Sequence, residues 1–138
     1  MSPLRIGKAQ YESLADMRFA LRTFLRFSQG AAREAGLTVQ QHQALLVLKG
    51  FPGRDFVFVT ELAERLQVRH HSAVGLVDRL VQRQLLRRKP SATDRRRVEL
   101  HLTRQGERVI ERLSVIHLRE LRQFGPSLQR LLGSLRRT

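Results

Sequence analysis

Residues 59–80 read VTELAERLQVRHHSAVGLVDRL, and this stretch decides the fold. Thr60 can cap a short helix, TELAERLQ, with Glu61 and Glu64 near its positive end and Leu62, Ala63 and Leu66 facing inward. Val68 ends it, and three or four residues on a second helix begins around His70 or His71. That helix carries Ala73, Val74, Val77, Leu80 and Val81 on one side. Two helices this short need each other to bury those residues, which is the shape of a helix-turn-helix. The outward side of the second helix then holds His70, His71, Ser72, Gly75 and Arg79.

Downstream, Leu85 to Arg88 reads as a strand and Lys89 to Arg95 as a loop. Val98, Leu100 and Leu102 then alternate with Arg97, Glu99 and His101 as a half-buried strand. A β-hairpin therefore follows the helix pair directly, as a basic wing. From Thr103, a helix-capping residue, Val109, Ile110, Leu113, Ile116, Leu121 and Phe124 mark a long helix. Gly125-Pro126 is expected to interrupt it, leaving a last short helix on Leu128, Leu131, Leu132 and Leu135. Upstream, Leu14, Met17, Leu21, Phe24 and Leu25 lie at helical spacing in a segment reaching Ala35, with Gly36 as its stop. Thr38 and Gln41 have capping-box spacing ahead of Ala44, Leu45, Val47 and Leu48, and Phe56 to Val59 reads as a short strand. The fold class is mainly α with a small β-hairpin.

Twenty-six Lys and Arg against twelve Asp and Glu leave a formal charge of +14 on 138 residues, which points to a polyanionic partner. The surplus is focused. Between positions 83 and 97 lie Arg83, Arg87, Arg88, Lys89, Arg95, Arg96 and Arg97 against Asp94 alone, a net +6. No Phe, Tyr or Trp occurs between Phe58 and Phe124, so the basic stretch lacks its own platforms for stacking single-stranded bases. Duplex is the better target.

Several chemistries are excluded or unsupported. Without cysteine there is no disulfide, thiolate zinc site or thiol switch. The phosphate-loop, dinucleotide, H-E-x-x-H and G-x-S-x-G motifs are absent, and no enzyme or cofactor is expected. No two of the five histidines stand four residues apart; His42 and His117 lie on helices that can approach each other, where a hydrogen-bonded structural role outweighs a metal or acidic ligand. The N-terminal MSPLRIGKAQ has no apolar run for a signal sequence, and no stretch approaches a membrane span, so a cytoplasmic protein without membrane contact is expected.

LTVQQHQALLVL, VTELAERLQVRHHSAVGLVDRL and LLRRKPSATDRRRVELHLTRQGERV, in this order and spacing, resemble the MarR family of bacterial winged helix-turn-helix transcription regulators. The resemblance spans nearly the whole chain and is most specific over 37–110. Arg69 stands where the family often has a capping Ser or Thr, and Gln84 where it commonly has Gly. It implies one domain over 1–138, with a DNA-binding lobe at about 37–103 and helical dimerisation segments at 1–36 and 104–138. In the second helix of the pair, Arg69, His70, His71 and Ser72 would face bases and nearby phosphates, Gly75 would allow close approach, and Arg79 would meet the backbone. In the wing, Asp94 would hold an arginine in place, with Arg96 as minor-groove probe and Arg95 and Arg97 beside it.

The function so implied is a homodimeric, sequence-specific duplex-DNA-binding repressor. It would bind a pseudo-palindromic operator and be released by a small-molecule effector. Phe19, Phe24, Leu45 and Leu48 suit either the lining of an effector site or an ordinary core, so no ligand-binding residue is assigned. A non-specific nucleoid-type or RNA-binding winged helix is the alternative.

Overall fold

The computed structural model describes residues 5–136; Met1 to Leu4, Arg137 and Thr138 lie outside the described residues, as does the side chain of Leu135 expected on the last apolar stripe. Seven elements follow one another: α1 (Lys8–Glu34), α2 (Val39–Lys49), α3 (Val59–Leu66), α4 (His70–Gln82), β1 (Leu86–Pro90), β2 (Val98–Leu102) and α5 (Arg104–Arg136).

Helix ends follow local chemistry closely. The Thr38 hydroxyl accepts from the Gln41 amide at 3.1 Å while the Gln41 side chain accepts from the Thr38 amide at 3.0 Å, so the expected capping box opens α2. Three helices end in the same pair of reversed bonds around a left-handed residue. After α1 it is Gly36 (φ 77°), with the Leu37 amide on the Ala32 carbonyl at 2.9 Å. After α3 it is Gln67 (φ 57°), with Val68 on Ala63 at 3.0 Å, and after α4 Gln84 (φ 61°), with Leu85 on Leu80 at 3.0 Å. Gln84 thus takes the left-handed conformation without being glycine, because the two reversed bonds and the strand that follows hold it there.

Thr103 locks the start of α5. Its hydroxyl donates to the Gln84 carbonyl at 2.6 Å and accepts from the Gly106 amide at 3.0 Å, and its own amide donates to the Leu85 carbonyl at 3.1 Å. A β-carbon at Gly106 would stand 2.2 Å from the Leu85 oxygen, so only glycine fits where β1 crosses α5.

Four expectations are corrected. Thr60 lies inside α3, not at its cap: the N-cap is Phe58, whose amide donates to the Glu61 carboxylate at 2.8 Å, so an acid three residues on does the capping. Phe56 to Val59 is not a strand. Val57 alone pairs, exchanging bonds of 3.2 and 2.8 Å with Leu100, because the next residue already begins the helix. On α4 the buried stripe is Ala73, Leu76, Val77 and Leu80, with Val74 37% exposed. Finally, α5 runs through Gly125-Pro126 without a break. Proline there removes one helical bond at about 3 kcal/mol. Packing along α1 offsets it, with Phe24 and Phe124 stacked at 6.5 Å and Ser13 and Ser134 hydroxyls 3.3 Å apart.

The core sits where the helix pair, the hairpin and the near ends of α1 and α5 meet: Ala32, Leu45, Leu48, Val57, Leu62, Val77, Leu80, Leu86, Leu100, Ile110 and Leu113. Arg83, at the end of α4, donates to the Gly36 carbonyl at 2.7 Å and the Gln41 side chain at 3.1 Å. It joins α4 to the corner between α1 and α2 and is withdrawn from the basic surface. The far parts of α1 and α5 behave differently: Leu14, Phe19, Leu21, Leu25, Leu118 and Leu121 are all exposed, Phe19 at 71%.

Candidate nucleic-acid interface

The turn between α3 and α4 is set by Gln67 and Val68, and α4 opens at Arg69, whose extended backbone (ψ 153°) makes it the N-cap with no side-chain cap bond. Arg69, His70, His71 and Ser72 are exposed together at that end. The free amides there and the positive end of the helix dipole suit an anion, and Arg69 at the cap adds a positive charge to that end. Arg79 is exposed further along. Its guanidinium lies 3.6 Å from where a Gly75 β-carbon would stand, so Gly75 makes room for the arginine head, a role its spacing did not reveal.

Asp94 holds the wing tip. Its carboxylate accepts from the Arg96 amide at 3.0 Å, and its own amide donates to the Ser91 hydroxyl at 3.2 Å. Arg97 amide to Asp94 carbonyl (3.0 Å) and Ser91 amide to Arg97 carbonyl (3.1 Å) close the loop. The Arg96 side chain, 94% exposed and 3.7 Å from the Asp94 carboxylate, projects from this turn, with exposed Arg95 beside it. On the strand register Pro90 faces Val98 and Leu86 faces Leu102, so the hairpin is two residues longer toward its tip than the sequence suggests.

Arg97 is exposed like its neighbours, but its guanidinium is engaged. Its guanidinium lies 3.6 Å over the Phe58 ring. The Arg54 guanidinium lies 5.2 Å from the same ring, 4.8 Å from Phe56 and 4.7 Å from Phe51, and is paired with Glu61, the acid that caps α3. Beyond Phe56, His101 lies 5.4 Å away and bonds Glu99 at 2.9 Å. The alternation of β2 is therefore real, but its polar residues are covered: Glu99 is buried and His101 half-buried beside Phe56, while exposed Arg97, just before the strand, rests on Phe58. Val98 is 46% exposed over a recess it shares with Val74, Val77, Phe58 and Arg97. Arg88 pairs with Asp78 and ties β1 to α4. Of the basic window, Arg83, Arg87, Lys89, Arg95 and Arg97 make no ion pair among the described residues.

His42 and His117 do come together, stacked at 4.8 Å between α1, α2 and α5. His117 donates Nδ1–H to the Leu113 carbonyl at 2.6 Å and bonds the Ser28 hydroxyl through Nε2 at 2.8 Å. His42 is 3% exposed with Nδ1 unpartnered, and burial, then the neighbouring His117, holds its pKa below the ordinary histidine value. No group of three or more metal-ligating side chains occurs among the described residues. No helix among them is long and apolar enough to cross a membrane.

Two short helices at a tight turn, the second exposed at its N-terminus and followed by a basic hairpin, define a winged helix-turn-helix protein. Residues 35–97 match the MarR family model. The HTH-type transcriptional repressor MdtR of Bacillus subtilis is 29% identical over 104 residues, which are 72% of this chain and 65% of MdtR, so the likeness spans less than two thirds of that protein. Among solved structures, wild-type MarR from E. coli superposes with a TM-score of 0.73 over 96% of this chain and 98% of its own, at 19% identity. A mutant MepR from S. aureus, solved bound to an oligodeoxyribonucleotide, has a TM-score of 0.69 at 22% identity, covering 91% of this chain and 97% of its own. Residues 35–97, the helix pair and the wing as far as Arg97, are thus similar to the MarR family of winged helix-turn-helix transcriptional regulators.

Proposed function

We propose that this chain is a cytoplasmic, homodimeric repressor that binds a pseudo-palindromic duplex operator and is released by a small ligand. The observation that carries DNA reading is the pairing of two devices on one face. The uncapped, arginine-flanked N-terminus of α4 stands beside a wing whose tip is pinned by Asp94 while the Arg96 side chain stays 94% exposed. On this reading Arg69, His70, His71 and Ser72 enter the major groove, Gly75 seats Arg79 for a backbone phosphate, and Arg96, flanked by Arg95, probes the minor groove. The lobe over about 37–103 reads DNA. Residues 1–36 and 104–138 dimerise through the exposed Leu14, Phe19, Leu21, Leu25, Leu118 and Leu121. Release by a ligand follows the family resemblance. The DNA-bound MepR structure supports the partner.

Selection of bound duplexes from a random pool tests the reading. The expected outcome is a palindrome with half-site centres about 34–36 Å apart. On that duplex Arg96→Ala should weaken binding and lower the log–log salt slope by about 1 for each phosphate that is no longer neutralised. A pool without consensus would leave a generic duplex binder in its place.

A further inference from the structure

We infer that the layer formed by Arg54, Phe58 and Arg97 sets the angle of the wing against the DNA, so that Phe58 and Arg97 are positioning residues and Arg97 is not a DNA contact. This rests on the wing reading proposed above. Three observations converge. First, the guanidinium of Arg97 lies over the Phe58 ring at 3.6 Å, at the root of the loop whose tip bears Arg95 and Arg96. Second, Phe58 is fixed to the reading head: it is the N-cap of α3, its amide is held by Glu61, and the preceding Val57 is hydrogen-bonded both ways to Leu100 of β2. Third, Glu61 also pairs with Arg54, whose guanidinium sits among Phe51, Phe56 and Phe58 at 4.7 to 5.2 Å.

One carboxylate thus caps the first helix of the reading head and anchors the arginine beneath the ring on which the wing rests. The Val57–Leu100 bonds hold the middle of β2, but the tip end of the hairpin needs further contacts to resist tilting. Arg88 to Asp78 restrains it toward α4 from the other strand. The Arg97–Phe58 contact restrains it just before β2, so a shift in the helix pair carries over to the wing tip. A planar guanidinium on an aromatic face suits this because stacking tolerates sliding and resists separation.

The test uses the duplex recovered by selection, synthesised with A/T or with G/C pairs at the flanking steps the wing would meet. Phe58→Leu is expected to weaken binding to the A/T-flanked duplex about two- to fivefold, the worth of a partly exposed cation–π contact. Preference for A/T over G/C flanks should fall by the same factor, with the salt slope unchanged. Phe58→Tyr should restore both. Arg97→Gln should match Phe58→Leu, and as an exposed surface change it serves even if Phe58→Leu fails to fold. A lower salt slope for Arg97→Gln, like that expected of Arg96→Ala, would make Arg97 a phosphate contact and overturn the inference. So would an unchanged flank preference in either variant while Arg96→Ala weakens binding. If Arg96→Ala has no effect either, the wing reading itself fails and the inference falls with it.

Discussion

Gly106→Ala is the substitution for which local and tertiary physics disagree most sharply. In a free helix the change stabilises by about 1 kcal/mol, since alanine is the better helix former. Here the new methyl carbon would stand 2.2 Å from the Leu85 carbonyl oxygen, about 1 Å inside ordinary contact, and 3.3 Å from Leu102. If β1 stays in place the chain carries overpacking strain of about 1–3 kcal/mol. If β1 moves away by that 1 Å, the Thr103 bonds to the Leu85 and Gln84 carbonyls, now 3.1 and 2.6 Å, are stretched out of reach. At about 0.5–1.5 kcal/mol each, breaking them costs a similar amount. After subtracting the helical gain, a net destabilisation of up to about 2 kcal/mol is expected, or a fall of up to about 1 M in the urea midpoint at unchanged m. Gly30→Ala in α1 is the control, because nothing lies within 4 Å of its added carbon, and it should gain up to about 1 kcal/mol. Both are measured at one protein concentration, since an oligomer's midpoint moves with concentration. A Gly106→Ala protein stabilised as much as Gly30→Ala would refute the reasoning.

Gln84→Gly should stabilise the protein by about 0.5–1 kcal/mol in the same assay, because the left-handed conformation (φ 61°) is strained for glutamine and free for glycine; a destabilised variant would mean that the side chain contributes more than the backbone strain costs. The His42 imidazole gives a pH prediction. Its folded pKa lies below the ordinary histidine value, so as pH falls below about 6.5 the unfolded chain takes up the proton first. Native stability therefore declines with falling pH over that window. His42→Leu should show a shallower decline between pH 7.5 and 5, and identical pH profiles for the two proteins would sink the assignment.

Residues whose role is local could be read from sequence: Thr38 with Gln41, Gly36 as a helix stop, and Thr103 ahead of α5 all act within a few positions of themselves. So could the reading head, because α3 and α4 have no other way to bury Leu62, Val77 and Leu80. What escaped depends on a second layer. Period-2 alternation correctly put Glu99 and His101 on one face but could not show that Phe56 covers them. Charge counting placed Arg83 and Arg97 in one basic surface, yet one is engaged by the Gly36 carbonyl and the other by Phe58. Pro126 is tolerated because α1 supplies partners on both sides of it, Phe24 on Phe124 and Ser13 at Ser134, which no local rule for proline contains. For the proposed DNA contacts, sequence pointed to residues of α4 and the wing that are exposed in the structure, but not to the support beneath them.

The Arg83 clamp makes α1 a lever. Twenty-seven residues at 1.5 Å each give an arm of about 40 Å, fixed at its short end to the end of α4 through a single guanidinium. Turning that arm by about 5° moves its far end by about 3.5 Å, close to the 3.4 Å rise of one base pair. In the proposed dimer the far ends belong to the subunit contact, so repacking there by one side chain's width would be felt at the reading heads as a change of register on DNA.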